Sequence, residues 1–450
     1  MIRLHDTALG RQVEVSPRDR DKLSMYVCGP TVYDHPHVGH GRSLLVYDVL
    51  RRYLEWSGVA VHHVSNVTDI DDKIIERANR EGRSAEEVAA EFEEAWYAAV
   101  DGLGALRPHE DPHATAYVDG MVGLVAQLVE SGHAYVAGDG VYLATDTVPG
   151  YGLLARQSLE SLRAGARVEV TDDKRSSLDF ALWKAAKPDE PSWPSPWGEG
   201  RPGWHTECVV MSLDLLGDDF DLHTGGMDLV FPHHENERAQ AVALRRPFAR
   251  RWMHHAFVEV AGEKMSKSLG NFTTLTDLLA NTDPRAYRLL VLQSQYRKPL
   301  EVTADSLDAA TRALAGVDDL ARRTADLPPA APDAPALERF RSRMDDDLDT
   351  PGVIADVSEL RRRANVLFDA GDFQGAAPLA AAVREITSAL GLTLVAATGD
   401  ALPPEVAEAV ERRDAARARK DWAAADAIRA ELEAQGWVVE DTPRGTRLHR

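Results

Sequence analysis

Only two cysteines occur in the 450 residues of this chain, which excludes the disulfide framework that staples small secreted domains. No apolar run approaches the length of a membrane span, and the opening Met1-Ile2-Arg3-Leu4-His5-Asp6 lacks the apolar core of a secretory signal. Basic residues are the minority charge, 51 Lys and Arg against 72 Asp and Glu, for a formal net charge of −21. Such an acidic balance argues against a sequence-blind nucleic-acid binder, which carries a basic excess. A local basic track remains open at Arg361-Arg362-Arg363 and at Arg412, Arg413, Arg417, Arg419 and Lys420. The expected compartment is the cytoplasm, with no membrane contact.

What is present suits a soluble globular protein. Hydrophobic residues at 44% and charged residues at 27% are ordinary for a globular chain long enough for two to four domains. Lys22-Leu23-Ser24-Met25-Tyr26-Val27 reads as a buried strand, followed by a Gly/Pro turn and a helix from about Val38 to Leu54. A second strand is expected over Val59–Val64 and a second helix from Asp71 to Arg80. Strand, helix, strand, helix predicts an α/β fold with a Rossmann-like, doubly wound parallel sheet. Its first half covers residues 1–110, an insertion of short strands 111–200, and its second half 201–275, with a late strand near Trp252–Val258. Beyond that, an Ala/Leu/Arg/Glu-rich stretch predicts an α-helical bundle over 276–397 and a small C-terminal domain over 398–450, divided by Pro-rich breaks.

Each cysteine lies in an unusual setting. Cys28 opens Cys28-Gly29-Pro30-Thr31-Val32-Tyr33-Asp34, and Cys208 closes Gly203-Trp204-His205-Thr206-Glu207-Cys208. Further on, in Phe231-Pro232-His233-His234-Glu235-Asn236-Glu237, His233 and Glu237 are spaced i, i+4 and share one face of a helical turn. Two sulfurs, one nitrogen and one oxygen make a tetrahedral set suited to Zn²⁺. His234 offers the same chemistry as its neighbour, so the residues alone leave both open.

Two further motifs point to phosphate. His37-Val38-Gly39-His40 opens a helix directly after a strand, where free N–H groups and the helix dipole favour an anion. Gly39 lets a nucleotide approach the backbone, and two histidines at i, i+3 face one site. Far along the chain, Gly262-Glu263-Lys264-Met265-Ser266-Lys267-Ser268 places two lysines and two serines on a loop suited to clamping a polyphosphate.

Together, in this order and around one split sheet, these motifs resemble the class I aminoacyl-tRNA synthetases. The cysteine segments, Asp179-Phe-Ala-Leu-Trp-Lys184, Met344-Asp-Asp-Asp-Leu-Asp-Thr-Pro351 and Glu440-Asp-Thr-Pro-Arg-Gly-Thr446 narrow the likeness to the cysteinyl-tRNA synthetase family over nearly the whole chain. The resemblance implies cysteine–tRNA ligase activity, with His37, His40, Lys264 and Lys267 catalytic and Gly39 and Ser266 joining them around Mg²⁺-bound ATP. It implies about one Zn²⁺ per chain on Cys28, Cys208, His233 and Glu237, favouring His233 over His234. Cysteine contacts are expected from Gly29, Thr68, Trp204, His205 and Asp228. The implied partners are tRNA(Cys), ATP and L-cysteine, acting on a monomer whose helical bundle and small terminal domain read the tRNA. Where the family usually has three glycines before Phe-Pro-His-His, this chain has Thr224-Gly225-Gly226. Two rival readings are a related ligase joining cysteine to an amino sugar, and a non-catalytic zinc protein that binds tRNA.

Overall fold

The computed structural model describes residues 2–19, 21–157, 174–188, 190–260, 263–264, 274–395, 403–442 and 445–449. Four strands, Lys22–Val27, Ala60–Ser65, Leu222–Gly226 and Arg251–His255, form a parallel sheet. The first of them is buried at every residue but Lys22, as a strand covered on both faces must be. From it the chain passes through the helix Val38–Trp56 to Ala60–Ser65 on one side, while Leu222–Gly226 pairs with its other edge. Strand order therefore reverses beside Lys22–Val27, which opens a crevice at the carboxyl ends of the strands. Cys28 leaves the first strand there, and Gly225-Gly226 end the third.

Between the second and third strands the described residues run through the helices Asp72–Glu81, Ala85–Gly102 and Val118–Glu130, then the antiparallel strands Ala134–Ala137, Gly140–Leu143, Phe180–Ala185 and Gly200–Pro202, and then the helix Trp204–Leu216. The expected parallel α/β sheet followed by a helical C-terminal region is the observed architecture. One strand differs. The single strand expected over Trp252–Val258 is two, Arg251–His255 and Val258–Val260. After His255 the chain leaves the parallel sheet to pair with Leu300–Glu301, and the Phe257 carbonyl accepts from the Leu300 N–H at 3.0 Å and from the buried Arg42 guanidinium at 2.6 Å.

The chain divides into two compact units. The first holds residues 1–312, 337–356 and 389–392; the second holds 313–336, 357–388 and 393–450. Inside the first, the Asp48 carboxylate is buried with Arg288 and also accepts from Arg52 at 2.9 Å and the Leu106 N–H at 2.8 Å. The terminal N–H groups of Arg288 also donate to the carbonyls of Leu103, Gly104 and Leu390. Because Asp48→Ala would strand a buried guanidinium, it should cost about 3–5 kcal/mol of unfolding free energy, read from urea denaturation. A loss under 1 kcal/mol would mean that water reaches Arg288.

In the second unit, the helices Pro404–Ala418 and Trp422–Ala434 pack with the hairpin Val438–Thr442 and Gly445–His449 around Val406, Ala409, Leu432, Val439 and Leu448. Part of the basic track is internal: Arg413 is buried against Asp441 and Thr446, and Arg417 also pairs with Asp441. Arg419 and Lys420 are exposed and have no ion pair among the described residues.

Candidate active site and metal centre

Cys28 follows directly on Lys22–Val27, its N–H held by the Thr224 carbonyl of the neighbouring strand at 3.1 Å. Cys208 comes from the buried face of the helix Trp204–Leu216. His233 lies in a wide turn, Val230–His234, interrupted by extended backbone at Phe231, and Glu237 lies in the helix Glu235–Ala243 that follows. The turn is not a regular α-helix, yet the i, i+4 pair meets, with His233 Nε2 2.8 Å from Glu237 Oε1. The Cys28 and Cys208 sulfurs are 3.7 Å apart, Cys208 Sγ is 3.7 Å from His233 Nε2, and Cys28 Sγ is 3.6 Å from Glu237 Oε1. Tetrahedral bonds of about 2.0–2.3 Å separate ligand atoms by roughly 3.3–3.8 Å. Three of these edges already match, and the shorter fourth is a hydrogen-bonded ion pair. This group could hold a metal ion.

The electrostatics agree with a site built for positive charge. Burial opposes a charge on His233, but Glu237 and Cys208 outweigh it and push its pKa up to about 10. Against the same burial, His223 and His233 hold the Glu237 carboxyl well below the usual range. A hydrogen bond from Cys28, opposed by burial, brings the Cys208 thiol down to about 6, while burial and the neighbouring Cys208 push Cys28 up. A proton thus stands where a cation would draw the same groups together.

A second group, Cys28, His223, His234 and Glu237, also gathers its donor atoms closely. His223 Nε2 meets Glu237 Oε2, and its Nδ1 is buried with no partner among the described residues. Its hydrogen therefore belongs on Nε2, donated to the carboxylate. His234 Nε2 is 3.2 Å from Cys28 Sγ, and its Nδ1 meets His254 Nε2 at 2.7 Å.

At the start of the helix Val38–Trp56, His37 and His40 cap one another. The His37 N–H donates to His40 Nδ1 at 3.2 Å, and the His40 N–H donates to His37 Nδ1 at 3.3 Å. Both Nδ1 atoms are acceptors, so each ring carries its hydrogen on Nε2. The rings stack at 3.8 Å and 18°. Burial pushes His37 down to about 4, Asp228 opposing it, and lowers His40 well below its ordinary value. At neutral pH both are uncharged N–H donors. Gly39 is the second residue of the helix; Lys264 ends the short strand Glu263–Lys264, and Ser266 and Lys267 lie outside the described residues.

The other expected contacts sit around the same strand ends. The Gly29 N–H donates to Asn66 Oδ1 at 2.9 Å, and a Cβ there would lie 1.7 Å from the Asn66 carbonyl oxygen, so only glycine fits. The buried Thr68 hydroxyl donates to Glu207 at 2.7 Å and accepts from Asn66 Nδ2 at 3.2 Å. Trp204 stacks on His233 at 4.0 Å, and His205 Nδ1 meets His233 Nδ1 at 2.9 Å. Asp228 is exposed, and its charge reaches His37 and His255. Thr224, which stands where the family usually has a glycine, lies in a strand, and its hydroxyl donates to the Tyr26 carbonyl at 3.2 Å. Sequence reasoning missed Asn66, Glu207, His223 and His254. Their signal was proximity to the motifs, Asn66 two residues before Thr68 and Glu207 one before Cys208, but nothing local shows which way they turn.

A four-stranded parallel sheet with its switch point beside Lys22–Val27, followed by a helical C-terminal region, is the fold of a class I aminoacyl-tRNA synthetase. Residues 14–312 match the family model for tRNA synthetases class I (C) catalytic domain, residues 339–395 a DALR domain, and residues 399–448 a cysteinyl-tRNA ligase anticodon binding domain. The cysteine–tRNA ligase of Halorhodospira halophila is 45% identical, and that of Alkalilimnicola ehrlichii 46% identical, each over 100% of both chains. This chain belongs to the cysteine–tRNA ligase family of ATP-dependent aminoacyl-tRNA synthetases. Its fold is shared with Mycobacterium tuberculosis methionyl-tRNA synthetase bound by methionyl-adenylate, at a TM-score of 0.62, 14% identity, and coverage of 90% of this chain and 96% of that one.

Proposed function

We propose that the chain joins the carboxylate of L-cysteine to the α-phosphate of Mg²⁺-bound ATP, releasing pyrophosphate, and then passes the cysteinyl group to the terminal ribose of tRNA(Cys). The observation that carries the reading is the four-donor set of Cys28, Cys208, His233 and Glu237 at the switch point. Its edges suit zinc, and His223 argues for this set over its neighbour. A metal on His223 Nε2 would displace the hydrogen that His223 gives to Glu237 and leave it on a buried Nδ1 with no acceptor among the described residues. Zinc bound there supplies a thiolate-preferring Lewis acid for the substrate sulfur.

The chain's own groups do the rest. His37 and His40 donate from Nε2 to the phosphate oxygens as charge builds, beside the helix N-terminus and Gly39. Lys264, Ser266 and Lys267 are assigned to the same phosphates by the family motif. Gly29, Thr68, Trp204, His205 and Asp228 are assigned to the cysteine. Thr68 already gives its hydrogen to Glu207, so it is left to accept from the substrate ammonium. Arg419 and Lys420 suit phosphate contacts on the tRNA, and Trp422, 58% exposed beside them, offers a ring to an unstacked base. We read the protein as a cytoplasmic monomer.

Residues 337–356 and 389–392 fold with the first unit, so a cut at the Pro-rich break 327–332 would damage it. Ending the chain after Val395 instead should preserve cysteine-dependent ATP–pyrophosphate exchange within about 3-fold and lower kcat/KM for tRNA charging by 100-fold or more, since base contacts carry choice and phosphate contacts affinity. A folded truncate that charges tRNA like the full chain would remove tRNA reading from the C-terminal segment. If the full chain charged an amino sugar and not tRNA, the small-molecule ligase would replace this reading.

A further inference from the structure

The partner of His233 is unusual. A metal-bound histidine ordinarily donates its second ring N–H to a carboxylate, a backbone carbonyl or water. Here the group facing His233 Nδ1 is another imidazole, His205 Nδ1, at 2.9 Å. Two imidazole nitrogens at this distance share one hydrogen, so one donates and the other accepts. His233 Nε2 faces Cys208 Sγ at 3.7 Å and Glu237 Oε1 at 2.8 Å, the side on which a metal would take its lone pair. The hydrogen of His233 must then lie on Nδ1, and His205 Nδ1 must accept it.

The fold holds His205 for this role. It is the second residue of the helix Trp204–Leu216, and its ring meets Phe180 edge-on at 5.4 Å. The buried Gln240 ties its carbonyl at 2.6 Å and that of Asn236 at 3.1 Å. One side chain thereby fastens the turn of His205 to the helix that carries Glu237. Trp204, its neighbour, also covers His233, but only by stacking at 4.0 Å with no polar bond.

We propose that His205 is a positioning residue of the metal centre, whose Nδ1 accepts the His233 Nδ1–H and so holds the His233 lone pair on the metal. This rests on the zinc reading above, and it gives His205 work on the ligand side of the centre besides the substrate contact assigned to it. An imidazole is a neutral acceptor, so it orients the ring without adding a further negative charge beside two thiolates and a carboxylate.

The test is metal affinity in the full chain, measured by competition with a chromophoric chelator, for the parent, His205→Ala and His205→Asn. Loss of an outer-shell partner typically costs 10–100-fold in metal affinity, and that is the loss expected for His205→Ala. His205→Asn, whose amide oxygen can accept the same N–H, should recover most of it. A folded His205→Ala protein that holds zinc as tightly as the parent overturns the proposal. So does an Asn variant as weak as the Ala variant, because packing rather than the hydrogen bond would then matter. A parent that binds no zinc would instead sink the metal reading itself. Because the readout is metal affinity, an effect on the substrate contact does not enter it.

Discussion

Replacing His40 with alanine should lower cysteine-dependent ATP–pyrophosphate exchange by about 10²–10³-fold, the usual effect of removing one preorganised donor from a developing negative charge. The geometry supports a large effect because the donors are fixed in advance. Reciprocal capping commits both Nδ1 atoms to backbone N–H groups, so both hydrogens lie on Nε2 before ATP arrives. Since those interactions strengthen in the transition state, cysteine binding should change far less than exchange. His40→Asn, which can accept the His37 N–H and still donate, should recover part of the rate. His37, held near pKa 4 by burial, should stay neutral from pH 8 down to 5 and produce no fall in exchange over that range. The same depression has a linkage consequence. The folded state binds fewer protons than the unfolded one between roughly pH 6.5 and 4, so the contribution of His37 to stability is complete above 6.5 and is lost as pH falls through 4. Exchange within 3-fold of the parent in a folded His40→Ala protein would remove the histidine from catalysis.

Cys208→Ser should act through specificity as well as rate. It removes one of the two sulfurs of the four-donor set and leaves a hydroxyl that ligates zinc poorly at neutral pH. Metal content, about one zinc per chain in the parent, should drop markedly. Discrimination between cysteine and serine should collapse with it. Shape separates substrates differing by one atom only about 10–200-fold, whereas a site built around one strong polar contact reaches roughly 10⁴ or more. Exchange measured with each amino acid, beside metal analysis, checks both halves. In the cobalt-substituted parent, thiolate absorption should change on adding cysteine and not on adding serine. A parent that discriminates equally well after its metal is stripped would mean that zinc is structural only.

Much of this chain could be read residue by residue because the governing forces are local. The helix that starts at Val38 was legible from a strand, a Gly/Pro turn and a run of apolar periodicity, since capping and helical spacing act within one or two turns. The i, i+4 spacing of His233 and Glu237 survived although His233 lies in a widened turn, because the irregular backbone at Phe231 precedes it and the chain from His234 to Glu237 is helical. The donor chemistry was equally legible, as two sulfurs, a nitrogen and an oxygen are properties of side chains and not of folds.

Tertiary structure alone decided how those groups serve one another. Cys28 and Cys208 are 180 residues apart in sequence, and their 3.7 Å approach depends on which strand lies beside Lys22–Val27. The turning of His223 towards Glu237, His205 towards His233 and Arg413 into the terminal core has no local signature, because each partner comes from another element. Residues 337–356 look, by composition, like one more stretch of the helical region, yet they fold with the catalytic unit: Phe340 packs on Trp56, and Asp347 accepts from the His5 N–H and the Tyr296 hydroxyl. Periodicity specifies which face of an element is buried; only the packed chain decides what that face meets.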